Sequence, residues 1–150
     1  MDPLHVPQRY TPTTLSKSDL KKQKRELRKS RKLYKNGIYY QRKTVKSFHS
    51  KPSNHLQKAR KLYGIDHIKP SRSLAKKTQC SQKALEKIVN KGRGAYYSSG
   101  SRPNQTAESW GLARLASSIT GGNASKIDYD ILETGCKPTS PALLLAQKKT

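Results

Sequence analysis

Acidic residues are scarce in this chain, and their scarcity is the first constraint on its function. The 150 residues include 32 Lys and Arg but 9 Asp and Glu, which gives a formal net charge of +23. Residues 1–93 hold 26 basic and 5 acidic residues, whereas residues 94–150 hold 6 and 4. A charge this poorly balanced predicts a polyanionic partner or an acidic surface.

Apolar residues are also few, and long apolar runs are lacking. The apolar fraction is 32%, so we expect a compact part of roughly 60–90 residues beside extended segments. No apolar run approaches the roughly 18 residues of a membrane-spanning helix. The first seven residues lack a signal-peptide pattern, so the protein is expected not to be secreted.

The residues that usually carry catalysis or bind metals show no productive spacing. Cys80 and Cys136 are expected to be two reduced thiols, with a disulfide between them as the alternative. The histidines have no paired spacing, and the C-terminal acids are typical of helix starts and surfaces. We therefore expect no enzyme activity, no metal, no cofactor and no small-molecule substrate.

The predicted fold class is mainly α, a small helical domain with a long basic, partly extended N-terminal region. Residues 1–16, with Pro3, Pro7 and Pro12, are predicted to form an extended arm. Residues 17–70 are predicted to hold short helices and an extended segment, including a basic helix over 17–35. The helical domain is expected over 71–140, followed by a C-terminal tail at 141–150. Its core is predicted from apolar residues at helical spacing, namely Leu85, Ile88, Val89, Leu112, Leu115, Ala116 and Ile119.

The basic region supplies the candidate partner-binding residues. The basic candidates are Lys21, Lys22, Lys24, Arg25, Arg28, Lys29, Arg31, Lys32, Arg42, Lys43, Arg60 and Lys61. The apolar anchor candidates are Leu33, Tyr34, Tyr39, Tyr40, Leu62 and Tyr63. Cations bind phosphates whatever the base sequence, and interleaved aromatic residues can stack on unpaired bases. The same residues also suit docking to an acidic protein surface, and both interpretations stay open.

Two segments suggest known motifs. Residues 74–85 resemble the helix-turn-helix phrase of small repressors, although Gln79 stands where such turns usually carry Gly; an ordinary helical hairpin is the alternative. The segment 92–105 is predicted to be a Gly- and Ser-rich loop, either structural or anion-binding. Its candidate core and loop residues, with the start of the next helix, are Gly92, Gly94, Tyr96, Tyr97, Arg102 and Trp110.

The segment from about 78 to 135 resembles an uncharacterised small domain found in large icosahedral double-stranded DNA viruses of eukaryotes. The resemblance rests on Ser81, Leu85, Val89, 91–97 (KGRGAYY), 98–103 (SSGSRP), 109–111 (SWG), Ala113, Arg114 and 119–122 (ITGG). It implies a viral origin and no catalytic residue. Small basic proteins of these viruses are similar to minor capsid components that line the inner shell, or to genome-associated virion proteins.

The functional expectation is therefore a non-enzymatic virion structural protein, a minor capsid protein that cements capsomers on the inner side of the shell. Its expected partners are the major and minor capsid proteins of the same particle. The basic region could also contact nucleic acid or the inner membrane surface. The alternative is a viral DNA-binding protein that compacts or regulates the genome through the basic region and the helix-turn-helix-like segment.

Overall fold

Helices make up most of the chain, as its apolar spacing predicts. The computed structural model describes residues 4–51 and 53–149, and within these ranges it contains no strand. A 3-10 helix, Gln8–Tyr10, precedes the α-helices. The α-helices are α1 (Lys17–Lys35), α2 (Asn54–Tyr63), α3 (Arg72–Thr78), α4 (Gln82–Ser98), α5 (Ala107–Ile119), α6 (Asn123–Ile127), α7 (Tyr129–Gly135) and α8 (Pro141–Lys149). The mainly α fold class is confirmed.

The chain divides into two compact units, and their boundaries differ from the expected division at residue 70. Unit 1 comprises Met1–Lys51 and Arg93–Trp110. Unit 2 comprises Pro52–Gly92 and Gly111–Thr150. Each unit is thus built from two stretches that are distant in sequence, so non-local contacts decide the division.

The expected long extended N-terminal region is not confirmed. Of the predicted arm, residues 1–3 lie outside the described residues, and the remainder carries the 3-10 helix. Tyr10 and Leu15 are buried, so this stretch packs within unit 1. The basic helix α1 has the predicted bounds, and the hydroxyl oxygen of Ser16 caps it by accepting the N–H of Asp19 at 3.2 Å.

Unit 2 holds an apolar core drawn from six helices and their connections. Leu85, Ile88 and Val89 of α4 are buried with Leu115 and Ile119 of α5, as their spacing predicts. Further buried members are Ala59, Tyr63, Ile68, Leu74, Ala116, Leu132, Ala142, Leu143 and Ala146. Leu112 is partly buried against this core. The expected tail therefore contributes a helix, α8, whose inner side belongs to the core.

Helix α4 continues to Ser98, so the prediction that it stops at Gly92 and gives way to a loop is wrong. A side chain at Gly92 would place its Cβ 2.6 Å from the Cα of Gly111. Gly92 is therefore needed for the close approach of α4 and α5 rather than for a helix end. The burial of Val89 and Tyr96 on the same helix offsets the low helix propensity of Gly92 and Gly94.

Cys80 and Cys136 form a disulfide, which corrects the expectation of two reduced thiols. The two residues also pair as an isolated antiparallel bridge. The N–H of Ser81 donates to the carbonyl of Gly135 at 2.8 Å, and the N–H of Lys137 donates to that of Gln79 at 2.9 Å. The bridge joins the turn before α4 to the residue after α7, so it closes much of unit 2 covalently.

No helix among the described residues combines the length and apolar character that crossing a bilayer requires. This agrees with the absence of a long apolar run from the sequence.

Replacing both cysteines, Cys80→Ser with Cys136→Ser, is expected to destabilise unit 2. The bridge spans 56 residues, and the entropy of closing such a loop corresponds to about 4 kcal/mol of unfolding free energy. Urea denaturation followed by far-UV circular dichroism should show this loss. Reductant should lower the stability of the native protein and leave that of the double variant unchanged. Alkylation of both native thiols without reductant would contradict the pairing.

Candidate polyanion-binding surface of unit 1

Helix α1 presents two faces of different character. Its inner face buries four side chains of which three are polar: Gln23, Glu26, Leu27 and Ser30. Gly100 packs against this face with φ +131, and a Cβ there would lie 2.7 Å from the Cδ2 of Leu27. The close approach explains why the loop after α4 has glycine at this position. Polar inner side chains require hydrogen-bond partners, which the rest of unit 1 supplies.

The two acidic residues of α1 are both engaged by the segment 40–47. The Glu26 carboxylate accepts the Tyr40 hydroxyl at 2.8 Å and the Lys43 N–H at 2.6 Å. The Asp19 carboxylate accepts the N–H and hydroxyl of Ser47 at 2.8 and 2.6 Å. These bonds to Ser47 hold the pKa of the Asp19 carboxyl below its ordinary value. Both acids therefore act within the fold.

The outer face of α1 is consequently cationic along its whole length. Among the described residues, no carboxylate forms an ion pair with any of its basic side chains. Like charges at this helical spacing repel, so an anion bound along the face would relieve the repulsion. We define the outer face of α1 by its eight exposed cations, Lys17, Lys21, Lys24, Arg25, Arg28, Lys29, Lys32 and Lys35.

Arg42 is buried, so its assignment as a partner-binding cation is wrong. Only 7% of the residue is exposed. Its guanidinium donates to the Ser30 hydroxyl at 2.8 Å, the Tyr96 carbonyl at 2.6 Å and the Ser101 hydroxyl at 2.7 Å. It also lies over the Tyr96 ring, 3.7 Å from the centroid. Loss of water lowers the pKa of the Arg42 guanidinium, and these three acceptors, on α1, on α4 and in the loop after α4, satisfy the buried charge.

Two of the predicted cations on α1 are partly exposed and donate hydrogen bonds within unit 1. The Nζ of Lys22 donates to the Thr44 carbonyl at 2.9 Å. The Arg31 guanidinium donates to the carbonyls of Ser99 and His5 at 2.8 and 2.9 Å. They therefore attach the flanking segments to α1. Lys43 is exposed.

The predicted apolar anchors of unit 1 differ in how far they are exposed. Leu33 and Tyr34 are half-buried, and Tyr39 is exposed. The Tyr40 hydroxyl is bound to Glu26, and burial, followed by that hydrogen bond, raises the pKa of Tyr40. Lys29 lies over its ring at 4.6 Å. The Tyr40 side chain is therefore largely occupied by contacts within unit 1.

The remaining predicted partner-binding residues lie on helix α2 of unit 2, and they differ in exposure. Arg60, Lys61 and Leu62 are exposed. Tyr63 is 5% exposed and its hydroxyl donates to the Ile119 carbonyl, so its assignment as a partner anchor is wrong. It belongs to the core because α2 turns this side toward α5. Burial raises its pKa well above the ordinary tyrosine value.

The helix-turn-helix-like segment forms α3, a three-residue turn and α4. Gln79 has φ 57, so it adopts the left-handed conformation for which repressor turns use Gly. Its side-chain carbonyl accepts the Thr139 hydroxyl at 2.5 Å. Leu85, in the stretch that would open the recognition helix of such a motif, is fully buried. Within 81–85, the residues exposed to contact a DNA groove are therefore Ser81, Gln82 and Lys83.

Of the remaining candidate core and loop residues, Tyr97 and Trp110 pack against other rings, and Arg102 is exposed. The ring of Tyr97 lies among those of three other tyrosines, and Trp110 meets the ring of Tyr10 edge-on at 5.8 Å. Arg102 is exposed, and a Cβ at Gly94 would meet nothing within 4 Å. The segment therefore shows no convergence of these residues on an anion.

Sequence reasoning missed Asn104, which holds the segment 45–48. Its side-chain carbonyl accepts the Val45 N–H at 2.7 Å, and its amide donates to the carbonyls of Val45 and Phe48 at 3.0 and 3.1 Å. Asn104 has φ 63. An Asn directly after Pro103 is a turn signal, but nothing in the sequence names a partner 59 residues away.

Comparison with known families gives one match. A model described as a family of unknown function, DUF5824, matches residues 7–131. No curated protein and no solved structure matches the chain. The matched range includes α1, the segment 36–51 and the loop after α4.

Arg42→Met is expected to lower the unfolding free energy of unit 1 by about 3 kcal/mol, because it removes three charged hydrogen bonds while keeping side-chain volume. Trp110, the single tryptophan, lies in unit 1 and reports its unfolding by fluorescence in urea. The matched control is Arg102→Met, an exposed position, which should change stability by less than about 0.5 kcal/mol. Equal effects of the two changes would show that the buried network does not hold unit 1.

Proposed function

We propose that this chain, which belongs to the DUF5824 family of unknown function, is a non-enzymatic virion structural protein that lines the inner side of a capsid. On this proposal it is a minor capsid protein that cements neighbouring capsomers. The observation that carries the proposal is the outer face of α1, which presents eight exposed cations while both acids of the helix are bound within unit 1. The viral setting is supported by the sequence resemblance of residues 78–135.

The proposed mechanism assigns different tasks to charge and to apolar contact. The outer face of α1 attracts acidic capsid surfaces, the genome or the membrane beneath the shell, and sets the rate and orientation of association. The large apolar residues that are exposed and available for contact are Ile38, Tyr39, Leu62, Ile127 and Leu144. Because Tyr63 belongs to the core of unit 2, it is not available as an anchor, and the proposal assigns the main attraction to the outer face of α1.

A viral DNA-binding protein that compacts or regulates the genome is the second candidate. The observation that favours it is the ordered row of cations on one helix, which can neutralise successive phosphates without competition from a carboxylate. The exposed residues at the start of α4, including Lys83, provide a separate surface for this candidate. The two surfaces can be tested independently.

The triple variant Lys24→Gln, Arg25→Gln and Arg28→Gln is expected to weaken binding to both a 20-base-pair DNA duplex and poly-L-glutamate. For the duplex, the slope of log affinity against log salt should shrink by about 2 to 3, since each lost phosphate contact contributes about 0.9. Fluorescence anisotropy over a salt series measures both effects.

The matched control is Lys76→Gln, Lys77→Gln and Lys83→Gln, which removes three exposed cations of unit 2. It should leave both affinities within about twofold of the native protein. A larger loss in the control than in the α1 variant would contradict the assignment of the surface and favour binding through the helix-turn-helix-like segment.

The location of the protein in the particle distinguishes the two candidates. Cryo-electron microscopy of virions is expected to place the protein against the inner face of the shell, in contact with major and minor capsid proteins. Density confined to the nucleoid would contradict the capsid proposal and favour genome compaction.

A further inference from the structure

Five aromatic residues lie among the cations of residues 1–51, and the structure leaves one of them largely exposed. Tyr10 is buried against Trp110, and Tyr40 is bonded to Glu26. Phe48 and Tyr34 are half-buried. Tyr39, in contrast, is 71% exposed.

Tyr39 is exposed but supported from one side. Its ring centroid lies 5.1 Å from that of Tyr97 and 6.0 Å from that of Tyr34, and the Tyr34 and Tyr97 rings are nearly parallel at 6.3 Å. Tyr97 in turn meets Tyr96 edge-on. This group of Tyr34, Tyr39 and Tyr97, here called the tyrosine cluster, positions one ring before any partner arrives. A positioned ring loses little conformational entropy on binding.

The turn after α1 brings Tyr39 back to the helix. Gly37 has φ +77, its N–H donates to the Tyr34 carbonyl at 2.9 Å, and the Ile38 N–H donates to the Leu33 carbonyl at 2.9 Å. These bonds form a helix C-cap of the Schellman type. The tyrosine cluster therefore lies at the C-terminal end of the same helix that carries the cationic face.

We propose that Tyr39 is a stacking platform for an unpaired base of single-stranded nucleic acid whose phosphates lie along the outer face of α1. This rests on the proposed function in that it takes the outer face of α1 as the binding surface. A 19-residue helix is about 28 Å long, which is enough for several nucleotides in a groove-type site. Cations for the backbone and an aromatic platform for the bases are the two elements that such sites combine.

The tyrosine cluster favours single strands over duplex DNA or an acidic protein. A duplex keeps its bases stacked internally and gains only from the cations. An acidic protein surface also gains from the cations, but an apolar contact to it would be served by any large apolar side chain at position 39. A base requires the flat ring itself.

The test compares Tyr39→Leu, which removes the ring but keeps apolar area, with the matched control Tyr39→Phe, which keeps the ring. Full-length protein is titrated against a dT20 oligonucleotide, a 20-base-pair duplex and poly-L-glutamate. Tyr39→Leu should weaken dT20 binding roughly fivefold or more, and leave duplex and polyglutamate binding within about twofold. Tyr39→Phe should retain dT20 binding within about twofold. Because Tyr39 is exposed, both variants should keep the native urea midpoint of Trp110 fluorescence.

Unchanged dT20 binding by Tyr39→Leu would overturn the stacking proposal, as would an equal loss for all three probes. A loss confined to polyglutamate would overturn it in favour of an acidic protein partner. These results are independent of the α1 triple variant. If the triple variant bound every probe as tightly as the native protein, the outer face of α1 would be refuted as the binding surface. If only Tyr39→Leu left dT20 binding unchanged, the base contact alone would be refuted.

Discussion

Unit 1 depends on the buried guanidinium of Arg42. One side chain from the segment 36–51 reaches Ser30 of α1, Tyr96 at the end of α4 and Ser101 in the following loop. A buried charge without partners is strongly unfavourable, so each of these segments must be in place for the others to be stable there. The network joins α1, the segment 36–51 and residues 96–101.

The same principle explains how a segment without secondary structure is held. The main chain of residues 43–47 is bound by side chains rather than by a neighbouring strand: Glu26 accepts from Lys43, Asn104 binds both backbone groups of Val45, and Asp19 accepts from Ser47. The segment 43–47 of unit 1 is thus held by polar side chains. This arrangement also determines its surface. Since the acids of α1 are bound to the segment, they do not neutralise the outer cations.

Local sequence signals predict the elements of the fold better than their assembly. The bounds of α1 follow from Ser16 and Gly37, and the cores of α4 and α5 follow from apolar residues at helical spacing. The continuation of α4 past Gly92 was missed because Gly111, the reason for that glycine, is 19 residues farther along the chain. The pairing of Cys80 with Cys136 depends likewise on how the ends of α3 and α7 meet. Such contacts leave no periodicity in the sequence.

The candidate surface was predictable in composition but not in geometry. Counting cations identifies α1, yet the same count includes Arg42, whose burial depends on Tyr96 and Ser101. The charge count also does not show that Glu26 faces inward, and the net positive charge of the outer face of α1 depends on that orientation.

The polar network couples the two components of the proposed binding surface. Glu26 holds Tyr40 and Lys43, the residues that follow Tyr39, while the Gly37 turn holds the residues before it. Tyr39 is therefore fixed on both sides by groups belonging to α1 or its cap. In the proposed binding mode, a strand whose phosphates lie along α1 would meet the tyrosine cluster in a set position at the C-terminal end of the helix. Such preorganisation would offset part of the entropy that the proposed binding loses, and it depends both on Glu26 on the inner face of α1 and on the Gly37 turn at the end of the helix.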